Sequence, residues 1–177
     1  MELVRVDADV LMTESITGMR YCRFSKMIIN KTNNNMEFKH SVPVQLRFND
    51  ADALGHVNNS VYFTFYDLGK TEYFKAIRGG EIPKEIDIVV AHAEVDFIAP
   101  VFLNDEIAVQ TTVSEIGNKS FELIQRIVDT KNNITKCFCK TIMVGFDVKT
   151  NTSKPISNEW RQAISEFEGV DFSKKSE

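Results

Sequence analysis

Apolar and polar residues alternate through five stretches of this 177-residue chain, a pattern typical of half-buried β-strands. In the first stretch, residues 37–48, the side chains of Val42, Val44, Leu46 and Phe48 share one face and predict a strand packed against a core. Four later stretches repeat the pattern and end at turn sequences, which predicts antiparallel hairpins. These stretches are residues 87–101, 106–116, 120–130 and 134–148.

Residues 59–77 have a helical pattern in which apolar side chains cover much of the circumference. They predict a helix about 28 Å long that is buried on most sides. Gly79 or Gly80 is suited to its left-handed cap, and Ser157 can cap a short C-terminal helix at residues 158–167. This order predicts a single α+β domain in which one curved antiparallel β-sheet wraps around one long central α-helix.

The first 35 residues differ from the rest of the chain. Five of the six methionines occur by Met36, and the segment ends in an asparagine-rich run. It lacks the apolar core of a secretory signal, and its early acidic residues argue against a mitochondrial transit peptide. We expect residues 1–35 to be a poorly ordered extension or an over-called start, with a small stabilising arm as the alternative, and residues 36–177 to form the domain.

Composition and charge narrow the possible partners. The net charge of −4, without a long basic block, argues against nucleic acid as the main partner. The chain contains no run of 18 apolar residues, so no membrane-spanning helix is expected. Three cysteines without metal-ligand spacing favour buried thiols in a reducing cytoplasm, and the three histidines share no metal-ligand pattern. The motifs of serine hydrolases and nucleotide-binding loops are missing too.

The densest group of polar residues lies in the segment FNDADALGHVNNSVYF, residues 48–63. Turn and helix-cap roles could account for its aspartates and asparagines. Alternatively, a buried helix that begins near Asn58 presents free N–H groups that can polarise a carbonyl oxygen. An upstream carboxylate could attack the same carbonyl or activate water, and Gly55 permits close backbone approach. One acid and one helix end would form a minimal acyl-transfer site.

The segments RFNDADALGHVNNSVYFTFYD, EVDFIAPVFLNDEI and GNKSF resemble hotdog-fold thioesterases of the 4-hydroxybenzoyl-CoA thioesterase family. The resemblance extends over residues 37–165 and implies an acyl-CoA thioesterase that releases a free acid and coenzyme A. Asp52 matches the family's catalytic carboxylate, acting as base or nucleophile. Asn59 matches the residue whose backbone amide polarises the thioester carbonyl.

The resemblance also implies substrate contacts and an assembly. A homodimer or homotetramer with active sites at the subunit interface is expected, without a metal or other cofactor, because coenzyme A is part of the substrate. Gly117 and Asn118 stand where an aryl-CoA-specific relative carries arginines. An acyl-carrier-protein thioesterase and a non-catalytic acyl-CoA-binding hotdog module remain alternatives. The expected substrate-binding residues are Gly55, His56, Val57, Asn58, Lys119 and Ser120.

Overall fold

A computed structural model describes residues 12–14, 20–22, 36–81 and 87–172. The chain divides into two compact units, Met1–Glu37 and Phe38–Glu177. In the first unit, strands β1 (Met12–Glu14) and β2 (Arg20–Cys22) pair in antiparallel fashion. The poorly ordered extension stays a prediction, because most of residues 1–35 lie outside the described residues.

The second unit is built on an antiparallel sheet of six strands. Its elements are β3 (His40–Val44), α1 (Asn59–Ala76), β4 (Ile88–Phe97), β5 (Ile107–Ile116), β6 (Ser120–Asp129), β7 (Ile134–Asp147), β8 (Thr152–Ser153) and α2 (Asn158–Glu168). The strand order is β3-β5-β6-β7-β4, and β8 pairs with β7. The predicted fold class and the order of the predicted elements are confirmed. The hairpin prediction holds for β5-β6 and β6-β7 but is wrong for β4, which pairs with β7 instead of β5.

The first predicted strand ends earlier than its alternating pattern suggests. The chain leaves β3 after Val44 and forms a 3₁₀ turn at Phe48–Asp50. The turn closes because the Asp50 carboxylate accepts a hydrogen bond from the Arg47 N–H at 2.7 Å, while the Asp50 N–H donates to the Arg47 carbonyl at 3.0 Å. Phe48, predicted to face the core, is therefore 86% exposed.

Helix α1 packs one face on the sheet. Gly69 permits the close approach, since a Cβ at this position would collide with the side chain of Val109 on β5. Next to it, the Gln125 side-chain amide donates to the Tyr66 carbonyl at 2.9 Å and so ties β6 to the helix. The buried residues of α1 are Tyr62, Phe65, Tyr66, Gly69 and Tyr73.

The prediction that α1 is buried on most sides is wrong for the single chain. Phe63 and Leu68, on opposite flanks of the buried stripe, remain 48% and 40% exposed. The reason is geometric, because one sheet covers only one side of a helix. The exposed face is available to a ligand or another subunit.

Helix α2 closes the core at the far end of α1, where the buried Trp160 packs edge-to-face on Phe74. The Tyr73 hydroxyl donates a 2.6 Å hydrogen bond to the buried Glu168 carboxylate. Burial, together with the negative charge of Glu168, raises the pKa of Tyr73 well above its ordinary value. No helix within the described residues is long and apolar enough to cross a membrane.

Candidate active site

The loop between the 3₁₀ turn and α1 folds back on itself. The Asp52 N–H donates to the His56 carbonyl at 2.9 Å, and the Gly55 N–H donates to the Asp52 carbonyl at 3.0 Å. Gly55 adopts φ +80°, a left-handed conformation that glycine enters without a steric penalty. An antiparallel bridge between Ala51 and Val57 completes the loop. The loop therefore holds Asp52 in a defined position just before the helix.

The two oxygens of the Asp52 carboxylate have different surroundings. Oδ1 accepts a hydrogen bond of 2.8 Å from the Leu54 N–H, which fixes the orientation of the side chain. Oδ2 lies 3.7 Å from His56 Nδ1. The side chain retains 26% exposure, so a substrate or a water molecule can reach it. Asp50, by contrast, uses its carboxylate to close the preceding turn.

The start of α1 leaves one backbone donor available. Asn58 is the N-cap, and its side-chain oxygen accepts hydrogen bonds from the Ser60 N–H at 2.9 Å and the Ser60 hydroxyl at 2.8 Å. The Asn58 N–H itself donates to the Asp50 carbonyl, and the Val61 N–H donates to the Asn58 carbonyl. Among the residues that the structure describes, no group accepts from the Asn59 N–H. This N–H, at the positive end of the helix dipole, is suited to bind a developing oxyanion.

The segment before β5 supports the loop from behind. The Val57 N–H donates to the Val101 carbonyl at 2.8 Å, and His56 forms an antiparallel bridge with Phe102. Phe102 is held in turn by its N–H bond to the Asp105 carboxylate at 3.0 Å. The Val57 side chain, expected to bind substrate, is 1% exposed and packs in the core. Phe102 was not predicted as a site residue, although it lies in the segment EVDFIAPVFLNDEI, which carries part of the family resemblance.

Tyr62 lies one turn into α1 and belongs to the same buried cluster as Val57 and Val101. Burial raises the pKa of its hydroxyl to about 12. The phenol therefore stays neutral near neutral pH and is not available as a general base. The role of Asp52 as base or nucleophile beside the helix start stays a prediction.

Lys119 and Ser120 lie far from this loop. Strand β5 begins opposite Val44 and runs for 10 residues, about 30 Å, before it reaches the hairpin that carries them. At that hairpin the Lys119 ammonium donates to the Ser153 hydroxyl at 3.3 Å. A single chain does not bring these two expected substrate-binding residues near Asp52.

A metal site would require several donor side chains close together. No group of three or more histidine, cysteine, aspartate or glutamate side chains that could hold a metal ion occurs within the described ranges. Within the same ranges, the ion pair of His56 is with Asp52.

A carboxylate loop that opens the central helix of a curved sheet is the arrangement expected of hotdog-fold thioesterases. The chain belongs to the thioesterase-like superfamily, whose family model matches residues 46–164. The resemblance predicted from the sequence is confirmed, and the thioester hydrolase class agrees with the names of the relatives.

Two curated relatives illustrate the similarity. The acyl-CoA thioester hydrolase YbgC of Escherichia coli is 28% identical over 95 residues, which cover 52% of this chain and 71% of that protein. The acyl-CoA thioesterase YbgC of Haemophilus influenzae is 26% identical over 108 residues, covering 59% of this chain and 79% of that one.

Solved structures agree with this assignment. A Thermus thermophilus thioesterase complexed with coenzyme A and Zn is 30% identical, with a TM-score of 0.67, covering 76% of this chain and 98% of that one. A 1,4-dihydroxy-2-naphthoyl-CoA thioesterase from Synechocystis shares the fold at 18% identity, with a TM-score of 0.64 and coverages of 71% and 94%.

Proposed function

We propose that the protein is an acyl-CoA thioesterase, which hydrolyses a thioester to a free acid and coenzyme A. The observation that carries the proposal is that the Asp52 carboxylate lies in the loop just before α1, whose Asn59 N–H has no acceptor among the described residues. The acyl-CoA hydrolase names of the YbgC relatives support the same substrate class.

In this proposal the thioester carbonyl oxygen accepts a hydrogen bond from the Asn59 N–H, where the helix dipole favours negative charge. If Asp52 attacks the carbonyl carbon, the C–S bond breaks and coenzyme A leaves as a thiolate, which takes a proton from solvent. Water then hydrolyses the acyl-aspartyl anhydride and restores the carboxylate. If Asp52 acts as a base, it takes a proton from the water molecule that attacks the carbonyl carbon; the C–S bond then breaks, coenzyme A leaves as a thiolate, and the proton on Asp52 passes to that thiolate, which restores the carboxylate.

We further propose that the protein works as a homodimer or homotetramer with its sites at a subunit interface. Strand β4 is the last strand at one edge of the sheet, and its Val90 and Phe97 are exposed. An exposed ten-residue edge favours pairing with a second copy. Within one chain Lys119 is about 30 Å from the Asp52 loop, so a lysine such as Lys119 could contact the site only from a second copy.

The proposal includes no metal or redox cofactor, and it locates the enzyme in the cytoplasm. Cys137 and Cys139 are free, buried thiols, as a reducing compartment permits. Burial raises the pKa of Cys137 to about 12, which keeps it a thiol. Activity is expected to survive exhaustive treatment with a chelator.

The experiment that tests the function is the release of free thiol from a panel of acyl-CoA and aryl-CoA esters, with acyl-carrier-protein thioesters as a parallel arm. Hydrolysis of at least one coenzyme A ester supports the proposal. Hydrolysis of acyl-carrier-protein thioesters alone would show that the carrier is a protein and not coenzyme A. If no ester is hydrolysed, a non-catalytic binding module would be favoured.

The assembly is tested separately by light scattering at micromolar concentration. A species at twice or four times the 20.2 kDa chain mass is expected. A monomer at 20.2 kDa would contradict the proposed interface.

A further inference from the structure

The segment between β4 and β5 carries contacts that hold the loop before α1. Its Val101 carbonyl accepts the 2.8 Å hydrogen bond from the Val57 N–H, and its Phe102 forms an antiparallel bridge with His56. Val57 and Val101 are both buried, so this contact lies inside the core. We name residues 98–105 the support segment, because the backbone of the loop rests on them.

The support segment also adjoins the first turns of α1. Phe97, the residue just before it, packs edge-to-face on Tyr62 with 5.2 Å between the ring centroids. Val101 and Tyr62 belong to one buried cluster. Tyr62 follows Asn59 by three residues, so the two residues are neighbours on one side of the helix. One short stretch of chain therefore adjoins both the loop that carries Asp52 and the start of the helix.

One lysine fixes the support segment at several points. The Lys136 carbonyl on β7 accepts hydrogen bonds of 2.9 Å from the Ile98 and Ala99 N–H groups. Its ammonium group donates to the Pro100 carbonyl at 3.3 Å and to the Asp105 carboxylate at 3.2 Å. The pairing of β6 with β7 shifts its register at this lysine, and such bulges redirect side chains. Lys136 thereby joins both ends of the support segment to the sheet.

Asp105 completes the connection to the loop. The carboxylate oxygen that faces Lys136 also accepts a 3.0 Å hydrogen bond from the Phe102 N–H. The side chains of Lys136 and Asp105 are only 14% and 21% exposed. Water therefore screens this ion pair less than a pair on the open surface. The contacts run without a break from Lys136 through Asp105 and Phe102 to His56.

A second ion pair on the same strand has no such connection. Lys140, four residues further along β7, pairs with Glu122 on β6. That pair joins two strands that are already paired along their length. The pair of Lys136 and Asp105 instead joins β7 to a segment outside the sheet, and that segment holds the loop.

We propose that Lys136 and Asp105 are positioning residues for thioester hydrolysis, which hold the Asp52 carboxylate in place beside the start of α1. This proposal rests on the proposed thioesterase function and adds two residues to the machinery of that same site. Lys136 acts through Asp105 and the support segment, not by contact with the substrate. A displacement of about 1 Å at a reacting group can lower a rate by about 10²-fold. Loss of the pair should therefore appear in turnover.

The first test is Lys136→Met, which keeps much of the side-chain length and removes the charge and the donors. We expect kcat to fall by at least about tenfold, while KM changes by less than about twofold because the substrate contacts are made elsewhere. Lys136→Arg keeps a cation that can bind the Asp105 carboxylate, so it should retain most of kcat. The assay is the release of free thiol from the best ester of the panel, with circular dichroism to confirm folding.

The matched control is Lys140→Met, the same chemical change on the same strand. It removes the ion pair with Glu122 and should keep kcat within about twofold of the wild type, because that pair does not contact the support segment. An equal loss of kcat in the two methionine variants would show that turnover follows a general loss of stability, and it would overturn the proposal. An unchanged kcat in a folded Lys136→Met enzyme would overturn it too.

A second test separates positioning from an independent effect on activity. If Lys136 acts only through Asp52, adding Lys136→Met to Asp52→Asn should lower the residual turnover by less than about twofold. A further loss as large as that of Lys136→Met alone would overturn the proposal.

Asp105→Ala tests the pair from its other side and serves if Lys136→Met does not fold. It removes both the partner of Lys136 and the acceptor of the Phe102 N–H, so kcat should again fall by at least about tenfold with KM nearly unchanged. A folded Asp105→Ala enzyme with normal kcat would overturn the proposal and leave the thioesterase function intact. A wild-type protein that hydrolyses no ester would contradict the proposed function itself, and the positioning role with it.

Discussion

The substitution Asp52→Asn exchanges one carboxylate oxygen for an amide nitrogen and removes one negative charge from the site. The remaining side-chain oxygen can still accept the 2.8 Å hydrogen bond from the Leu54 N–H, so the loop should keep its shape. The 3.7 Å approach of Oδ2 to His56 is lost, but it is partly exposed and contributes little stability. The variant should therefore fold like the wild type and still bind coenzyme A esters.

Its chemistry should be lost, because an amide can neither attack the thioester nor accept a proton from water. Removing a general base lowers turnover by at least about 10²-fold, and removing a nucleophile lowers it further. KM should change little if binding is preserved, so the loss should appear in kcat. The assay is the release of coenzyme A thiol from the best ester of the panel, with circular dichroism as the check of folding.

Asp50→Asn is the matched control, since it makes the same chemical change two residues away. The Asp50 carboxylate closes the 3₁₀ turn by accepting from the Arg47 N–H, and an asparagine oxygen can do the same. We expect this variant to keep most of the activity. A folded Asp52→Asn enzyme with near-normal turnover, together with an inactive Asp50→Asn enzyme, would refute the assignment of the catalytic carboxylate.

Three further predictions concern stability, each measured by urea unfolding. Asn58→Ala removes the cap of α1 and should cost about 1 kcal/mol, whereas Asn58→Asp should retain it; equal losses would contradict the cap. Tyr73→Phe should cost about 1–3 kcal/mol, because it removes the shorter of two hydrogen bonds to the buried Glu168 carboxylate and leaves only the 3.3 Å bond from the Val113 N–H; kcat should be unchanged because the pair is distant from Asp52. Burial lowers the pKa of His40 below its ordinary 6.5, although the negative charge of Glu72 acts in the opposite direction. Because the unfolded chain then binds the proton more tightly than the folded chain, the free energy of unfolding should fall as the pH drops through about 6.5. A His40→Gln variant whose stability has the same dependence on pH would refute this prediction.

The sheet was predictable because its strands bury one face at every second residue. On β7, Cys137, Cys139, Thr141 and Met143 are buried at every second position and display the period that the sequence carries. The same rule failed at Phe48, where a side-chain hydrogen bond from Asp50 ended the extended chain although the apolar alternation continued. A count of apolar residues does not detect a local polar contact of this kind.

Burial of α1 was over-predicted for a related reason. Apolar content shows that a helix face will be covered, but it does not show whether the cover belongs to the same chain. Phe63 remains 48% exposed because the sheet of the same chain covers only one side of the helix. The separation of Asp52 and Lys119 has a similar explanation. The family resemblance assigns both residues to one site, but the length of β5 keeps their two segments apart within one chain.

The polar residues of the loop have different roles, which the sequence alone left open. Asp50 closes the turn, Gly55 reverses the chain and Asn58 caps the helix, so three of its residues have structural tasks. Because these tasks are already filled, Asp52 and Asn59 can present a carboxylate and an N–H to a substrate. Turn chemistry and acyl-transfer chemistry are thus not competing explanations of this segment, since the first creates the geometry that the second requires.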